Sequence, residues 1–228
     1  MNELDSNKFD RFLQVETRSV VVNGVFMPSL YQPYWLASKN IIGENDASSA
    51  SVTIIARDIC QFNIGDWLNF TCTSNRMQLL TRKAPYFPIL HDVAEQIFQL
   101  GTDLQIISIG LNFIYSLGLG SEENYYNIGK NIGNLPNWED ILENVRLNSV
   151  SLRSQSDTNN SILNLAIQPT PEEMRISYGI DINVNNHFPL QKGNGKNVVE
   201  ILNNLYNEYI QKSKETAIKT TNKFLCNE

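Results

Sequence analysis

The chain has 228 residues, of which 42% are hydrophobic and 18% are charged, and its formal net charge is −6. This length and hydrophobic content predict one globular domain with a buried core. The acidic balance argues against sequence-independent binding of nucleic acid, which relies on clustered Lys and Arg. The low charged fraction is offset by Asn, Ser, Thr and Gln, which we interpret either as a surface partly covered by another subunit or as compositional drift towards Asn and Ile.

The cysteines and the N terminus bear on compartment and metal binding. The chain has an odd number of cysteines, and their spacing is not that of a zinc site; they are Cys60, Cys72 and Cys226. Residues 1–11 are polar and charged, unlike a signal peptide, and no apolar run approaches the ~20 residues that span a bilayer. We therefore expect a cytoplasmic protein with reduced cysteines, no metal, no cofactor and no membrane contact.

The N-terminal third predicts a strand followed by an aromatic loop. The valine-rich segment Val15 to Phe26 is typical of a strand. The segment Pro28 to Leu36 is interrupted by two prolines and cannot form a regular helix. Its aromatic residues could contact a partner, or they could tuck under a sheet edge; they are Tyr31, Tyr34 and Trp35.

The next segments predict strand, hairpin and helix. Val52 to Phe62 alternates and predicts one strand, which places Asp58 on the more apolar face unless it lies at a bulge or the strand's edge. Trp67 to Thr73 and Met77 to Arg82 predict a hairpin through Ser74, Asn75 and Arg76. A helix is predicted from Pro85 to Leu100, with Gly101 as its C-terminal cap.

The segment Asp103 to Leu117 is the strongest predicted strand. One face is apolar and includes Tyr115, whereas the other carries small or polar residues at Ser108, Gly110 and Asn112, where another group can approach the backbone closely. A strand that is apolar over most of both faces is usually central in its sheet. The narrow face can therefore receive either a closely packed helix or a ligand or partner.

The second half of the chain repeats this order of elements. We predict a loop over Gly118 to Pro136, a hairpin of Arg146 to Gln155 with Ser161 to Gln168, and a strand over Met174 to Val184. A helix follows from Asn197 to about Leu225, either continuous or interrupted near Ser213. Its tail, with Phe224 and Leu225, is either a docking surface for a second copy or a frayed end.

These elements predict a single α+β domain. We expect an antiparallel sheet of seven to eight strands with two main helices packed on one face. The repeated order suggests an internal duplication into halves 12–101 and 103–225, although no residue-level repeat accompanies it.

No motif in the sequence indicates catalysis. His91 and His187 are the only histidines, and we expect His91 and its neighbour Asp92 to point about 100° apart on a helix, too far for a relay. Gly118-Leu-Gly120 lacks the third glycine of a dinucleotide-binding loop. Paired carboxylates such as Glu122 and Glu123 lie in loops or at helix starts, where acidic residues are usually solvated.

Three stretches carry a resemblance: Phe70 to Thr81, Phe87 to Leu100, and Ile109-Gly-Leu-Asn-Phe113. They resemble a sporadically distributed family of uncharacterised bacterial proteins with the same strand-hairpin-helix-strand order. The resemblance implies an α+β fold and a bacterial origin, and it supplies no catalytic residues. Some of these proteins belong to mobile or anti-phage gene neighbourhoods.

Three functional hypotheses follow. The first is a non-enzymatic binding or assembly protein that acts through protein–protein contacts or self-association, as in a bacterial anti-phage or mobile-element system. Its contact residues would be Tyr31, Tyr34, Trp35, Ser108, Gly110, Phe224 and Leu225. The second is a small-molecule-binding or hydrolytic enzyme with a pocket between helix and sheet, lined by Arg57, Asp58, Asn112 and Tyr115. The third is a phage protein that binds one host protein.

Overall fold

The computed structural model describes residues 9–156 and 160–225, with side chains as far as residue 224. Its centre is one antiparallel sheet of nine strands in the order β2-β3-β4-β5-β1-β6-β9-β8-β7. The strands are β1 (Leu13–Gly24), β2 (Ser51–Ile55), β3 (Ile59–Ile64), β4 (Leu68–Thr73), β5 (Arg76–Thr81), β6 (Ile106–Gly118), β7 (Val150–Gln155), β8 (Ile162–Pro169) and β9 (Gly179–Gly193).

The helices connect and cover these strands. They are α1 (Pro33–Ser38), α2 (Glu44–Ser48), α3 (Phe87–Leu100), α4 (Glu122–Gly133) and α5 (Gly195–Leu225), and a short helical turn at residues 9–12 precedes β1. Helix α3 packs on β1 and β5, whereas α5 packs on β6, β9 and α4.

The main core lies between the sheet and these helices. Alternate residues of β1 and β6 face it and are fully or almost fully buried: Val20, Val22, Ile109, Leu111, Phe113, Tyr115 and Leu117. Polar groups lie in the same layer, where Arg18 pairs with Glu16 at 2.7 Å and its guanidinium lies 4.0 Å from the ring centre of Phe87 on α3. β6 has β1 on one side and β9 on the other, so the central position predicted for the strand Asp103 to Leu117 is confirmed.

The prediction of an α+β fold with an antiparallel sheet and two main helices on one face is confirmed, and the sheet has nine strands. The hairpin β4–β5, the helix α3 and the pair β7–β8 occur close to their predicted positions, although residues 157–159 of the β7–β8 connection lie outside the described residues. Helix α5 runs for 31 residues without a break at Ser213, which is roughly 46 Å at 1.5 Å per residue.

Four predictions about local structure were wrong. The segment from Pro28 to Leu36, predicted to be an irregular loop, contains the start of helix α1 at Pro33. Val52 to Phe62 is not one strand, because a turn at Arg57 and Asp58 divides it into β2 and β3. The strand predicted from Met174 starts only at Gly179, because Arg175 and Tyr178 adopt positive φ angles of 54° and 51°. The loop predicted over Gly118 to Pro136 contains α4, whose Ser121 cap accepts a hydrogen bond from the backbone N–H of Asn124.

The two sides of the sheet have a corresponding order, although four strands form the meander beside β1 and three form the meander beside β6. β1 pairs with β5, the last strand of the meander that follows it, and β6 pairs in the same way with β9. β1 and β6 then pair with each other and join the two sides. This is the arrangement that a duplication would produce, and the division into halves 12–101 and 103–225 stays a prediction. Among the described helices, none is both long and apolar enough to cross a membrane.

Candidate binding surface

The sheet has one face turned away from α3 and α5, which we call the open face. On β1 it carries the odd-numbered residues from Val15 to Asn23, and on β6 the even-numbered residues from Ser108 to Ser116. This parity follows from the pleat, because residues on either side of a core-facing position point away from the core. Neutral polar residues from several strands lie on this face.

A row of asparagines crosses the open face perpendicular to the strands. Successive strand pairs place nine residues directly beside one another, one from each strand: Ser51, Asn63, Asn69, Leu80, Ser19, Asn112, Asn185, Asn164 and Arg153. Five of the nine are asparagines, and all five are half-buried. We call these nine residues the asparagine row.

Hydrogen bonds link the amides within the asparagine row. Asn69 Nδ2 donates to Asn63 Oδ1 at 2.7 Å on one side of the sheet. On the other side, Asn164 Nδ2 donates to Asn185 Oδ1 at 3.2 Å, and Asn185 Nδ2 donates in turn to Asn112 Oδ1. Since each amide has two N–H donors and an acceptor with two lone pairs, these bonds leave donors and acceptors for another molecule.

Neighbouring positions extend this polar character. Asn183 lies one position along β9 from the row, and its Oδ1 is buried yet accepts no hydrogen bond from any described residue. Buried acceptors normally have a partner. The position is therefore suited to a donor from a bound molecule.

Small residues occupy the centre of the open face. Ser19, Val21 and Gly110 are buried between longer side chains on β5 and β9, of which Leu80 opposite Ser19 is apolar and Gln78 and His187 are polar. A Cβ atom added to Gly110 would lie 3.3 Å from Nδ2 of Asn185 and 3.6 Å from Nδ2 of Asn112. Gly110 therefore lies beside the asparagine row and not under a helix, so close packing of a helix does not account for it.

The charges of the open face are few. Arg76 and Arg153 lie on it by strand pairing, and Arg82 follows β5 with the same parity. Its buried acid is Asp181, which is 6% exposed and accepts a hydrogen bond from Thr170 Oγ1 at 2.9 Å. Burial raises the pKa of Asp181, and the hydroxyls of Ser116 and Thr170 together with Arg82 oppose that rise.

His187 is the histidine of the open face. It lies opposite Gly110 on β9, not in the turn that the nearby Pro189 indicates in the sequence. Burial lowers its pKa, and Arg153 lowers it further. The imidazole is therefore biased towards its neutral form, which both donates and accepts hydrogen bonds.

We expect Asp181→Asn to stabilise the protein at neutral pH. Because the folded-state pKa is raised, the ionised carboxylate is less favourable in the folded than in the unfolded chain, and the neutral amide removes that cost, by about 1 kcal/mol. The advantage should shrink as the pH falls and Asp181 itself becomes neutral. Urea denaturation at pH 7 and pH 4 measures both effects.

Asp66→Asn is the matched control. Lys83 Nζ lies 2.7 Å from Asp66 Oδ2 and lowers the pKa of that exposed carboxyl. Replacing the Asp66 carboxyl with an amide should therefore give no gain in stability at pH 7. Equal stabilisation by both substitutions would contradict the assignment to burial of Asp181.

The four residues of the predicted enzyme pocket do not converge. Arg57 and Asp58 are exposed in the turn between β2 and β3, at one edge of the sheet. Asn112 lies on the open face of β6, whereas Tyr115 is completely buried on the helix-covered face of the same strand. Alternation along β6 puts Asn112 and Tyr115 on opposite sides of the sheet, so no pocket can be lined by both.

The aromatic loop divides between core and surface. Tyr31 is 4% exposed and packs edge-on to Trp35, with ring centres 5.3 Å apart, which corrects its assignment to a partner contact. Trp35 is half-buried and lines a small cleft of about 260 Å³ against the C-terminal end of α3. Tyr34 is 68% exposed beside α2 and is the member of the predicted trio that is most open to solvent.

The end of α5 packs within the same chain. The backbone carbonyl of Phe224 accepts a hydrogen bond from Asn131 Nδ2 at 3.3 Å, and its side chain lies near Ile128 and Ile132 of α4. Helix α4, which we did not predict from the sequence, thus covers Phe224 in the tail, for which docking on a second copy and fraying were the two alternatives. The side chain of Leu225 lies outside the described residues.

One group of side chains has the composition of a metal site. Potential ligand atoms of His91, Asp92 and Glu95 on α3 all lie within 4.8 Å of one another. His91 Nδ1 lies 3.0 Å from Asp92 Oδ1, so the prediction that these neighbours cannot meet was wrong. Asn203 of α5 donates to Glu95 Oε1 at 2.9 Å, which gives this carboxylate a role in holding α3 against α5.

Comparisons with known proteins assign no family. No protein-family model matches the chain, and no curated protein shows significant similarity to it. The candidate surface therefore has to be interpreted from its own chemistry.

Proposed function

We propose that this protein is a non-enzymatic binding protein that holds a protein partner on the open face of its sheet. The asparagine row carries the proposal. It sets amides from five strands on the face that α3 and α5 leave uncovered, in a group of two and a group of three that Leu80 and Ser19 separate. The two groups of amides offer hydrogen-bond donors and acceptors that complement the peptide groups and polar side chains of another protein.

The charge of the open face favours a protein over nucleic acid. Its strands carry the three arginines and the buried Asp181 within a chain of net charge −6. Affinity for nucleic acid comes largely from many cationic contacts with phosphates, and three dispersed arginines supply few of them. A neutral amide surface pays a smaller desolvation penalty against a protein than a charged one would.

The enzyme hypothesis receives no support from the arrangement of its residues. Arg57 and Asp58 lie in the turn between β2 and β3, and three strands (β4, β5 and β1) separate that hairpin from β6 in the sheet order. Tyr115 of β6 is in the core. The resemblance noted above makes a bacterial anti-phage or mobile-element system the first setting in which to seek the partner. A phage protein that acts on one host protein is the second.

The test is affinity capture from cells of the source organism with wild-type protein and with Arg153→Glu, followed by nuclease treatment and cross-linking mass spectrometry. Arg153 is exposed at one end of the asparagine row, so the substitution should not disturb the core. We expect at least a tenfold loss of the captured protein, and cross-links that map to the strands of the open face.

Lys196→Glu is the matched control, because it makes the same charge change at an exposed position of α5. Gly110→Val provides a second variant, which crowds Asn185 and Asn112 while leaving the helix-covered core intact. Equal loss with Lys196→Glu, or capture that disappears on nuclease treatment, would contradict the proposal.

A further inference from the structure

The sheet ends on one side at β2, a strand of five residues whose register with β3 shifts between Val52 and Ile54. Among the described strands β2 pairs with β3 alone, so its other side presents backbone N–H and C=O groups that no described strand pairs with. All five residues of β2 are exposed, and three of them are large and apolar: Val52 is 48%, Ile54 41% and Ile55 39% exposed. Edge strands in monomeric proteins are usually short or bulged, or they carry charge, proline or a cover that blocks further pairing. β2 is short and has the register shift, but residues 51–55 contain no charged residue and no proline.

The apolar side chains project from both faces of β2. Val52 and Ile55 lie opposite Phe62 and Cys60 on the helix-covered side, whereas Ile54 lies opposite Gln61 on the open side. A strand added beside β2 would therefore cover apolar surface on both faces and continue the ladder of backbone hydrogen bonds. The edge is shaped for one kind of occupant, an extended strand.

The charge pattern favours a second copy of the same strand. In a pairing across a two-fold axis, a charged residue near the axis faces its own copy and is repelled. Residues 47–56 contain no charged residue, although the chain as a whole carries a net charge of −6. A two-fold axis perpendicular to the sheet also makes the new pair antiparallel, like every other pair in the sheet.

The opposite edge differs in this respect. β7 carries Arg153 near its middle, between Leu152 and Ser154. Pairing of β2 with β7 of another copy would leave both outer edges free and would extend into an open polymer, whereas β2 with β2 closes as a dimer.

We propose that two copies of this chain pair through β2, in antiparallel orientation, and form one continuous sheet of two nine-stranded halves. The proposal does not depend on the partner of the open face, because β2 contributes only Ser51 and Ile54 to that face. The two sheets would continue into each other and place two asparagine rows in one dimer.

Sedimentation velocity and light scattering on the purified full chain between 1 and about 200 µM test the proposal. We expect a concentration-dependent shift from 25.9 kDa to twice that mass. Amide hydrogen exchange in residues 51–55 should slow as the dimer forms. Ile54→Lys places a charge near the axis, and we expect it to weaken dimerisation at least tenfold.

Leu152→Lys is the matched control, since it introduces the same charge at a 58% exposed position on the other edge. Dimerisation should survive it. A monomer at every concentration, a dimer unaffected by Ile54→Lys, or filaments abolished by either substitution would each overturn the proposal. Circular dichroism of Ile54→Lys confirms that any loss of dimer occurs in a folded chain.

Discussion

The protein should lose most of its stability between pH 9 and pH 12, because buried thiols and phenols must ionise when the chain unfolds. Burial raises the pKa of Cys60 from 9.0 to about 11. Burial, with a contribution from Cys72, raises that of Tyr31 from 10.0 to about 12. Cys72 lies opposite Cys60 on β4, and its pKa rises to about 12 through burial and through Cys60.

The sign of the effect follows from these values. Below pH 9 the thiols are protonated in both states, so their full contribution to stability is present. As the pH rises, these groups ionise first in the unfolded chain, which lowers its free energy relative to the folded protein. The folded protein therefore loses stability, and this loss is complete only above the folded-state pKa. Each unit of displacement is worth ~1.4 kcal/mol, so Cys60 and Tyr31 alone remove roughly 5 kcal/mol by pH 12. Total stabilities are typically about 5–15 kcal/mol.

Urea unfolding followed by circular dichroism from pH 7 to pH 12 measures this loss. Cys60→Ala is the informative variant, because it should be less stable at pH 7 and yet show a shallower fall between pH 9 and pH 11. A free energy of unfolding that stays constant from pH 8 to pH 11 would refute the assignment. The thiols of Cys60 and Cys72 should also resist alkylation at pH 8 until the protein is unfolded, since both are buried.

Gly195→Ala should destabilise the protein by about 3 kcal/mol, through overpacking where α5 starts against the end of α3. A Cβ atom at this position would lie 2.3 Å from the backbone oxygens of both Gly101 and Phe98. Neither oxygen can move without displacing the end of α3, so α5 must shift and loosen the packing of Val198 and Leu202. The gain in helix propensity from Gly to Ala, at most about 1 kcal/mol, does not offset this cost.

Gly110→Ala is the control for Gly195→Ala. Its added methyl group meets the side-chain amides of Asn185 and Asn112, which can rotate away, and lies 3.8 Å from the backbone oxygen of Val21, an ordinary contact distance. We expect the free energy of unfolding to change by no more than about 1 kcal/mol. The alanine also loses less backbone entropy on folding than the glycine does, which offsets part of the crowding. Thermal and urea unfolding of the two variants measures the difference in stability. Equal losses would show that the contact between α3 and α5 can accommodate the added methyl group.

The closeness of α3 and α5 could not be predicted from the sequence. The glycine-containing segment before α5 indicates a flexible break, and Gly101 indicates a helix cap. Neither pattern says that the two glycines meet, because their contact joins the ends of helices that β6 to β9 separate along the chain. Only the packing of both helices on one sheet face brings them together.

Errors in the sequence-based predictions have identifiable causes. The alternation from Val52 to Phe62 continues through Arg57 and Asp58, so the pattern hides the turn that ends β2. Helix α4 is rich in Asn and Gly, yet Tyr125, Ile128 and Ile132 recur at helical spacing and pack towards the core. That spacing and the Ser121 cap are the signals that indicate the helix.

The sequence by itself determined which residues of each strand share a face. Since successive side chains of a strand point to opposite sides, Ser108, Gly110 and Asn112 had to lie opposite the apolar positions of the same strand. The tertiary structure decided what lies beside them. Strand order and register depend on pairings between distant segments, and a shift of one residue would turn every side chain to the other face. The register that buries the core also aligns asparagines from five strands into one row.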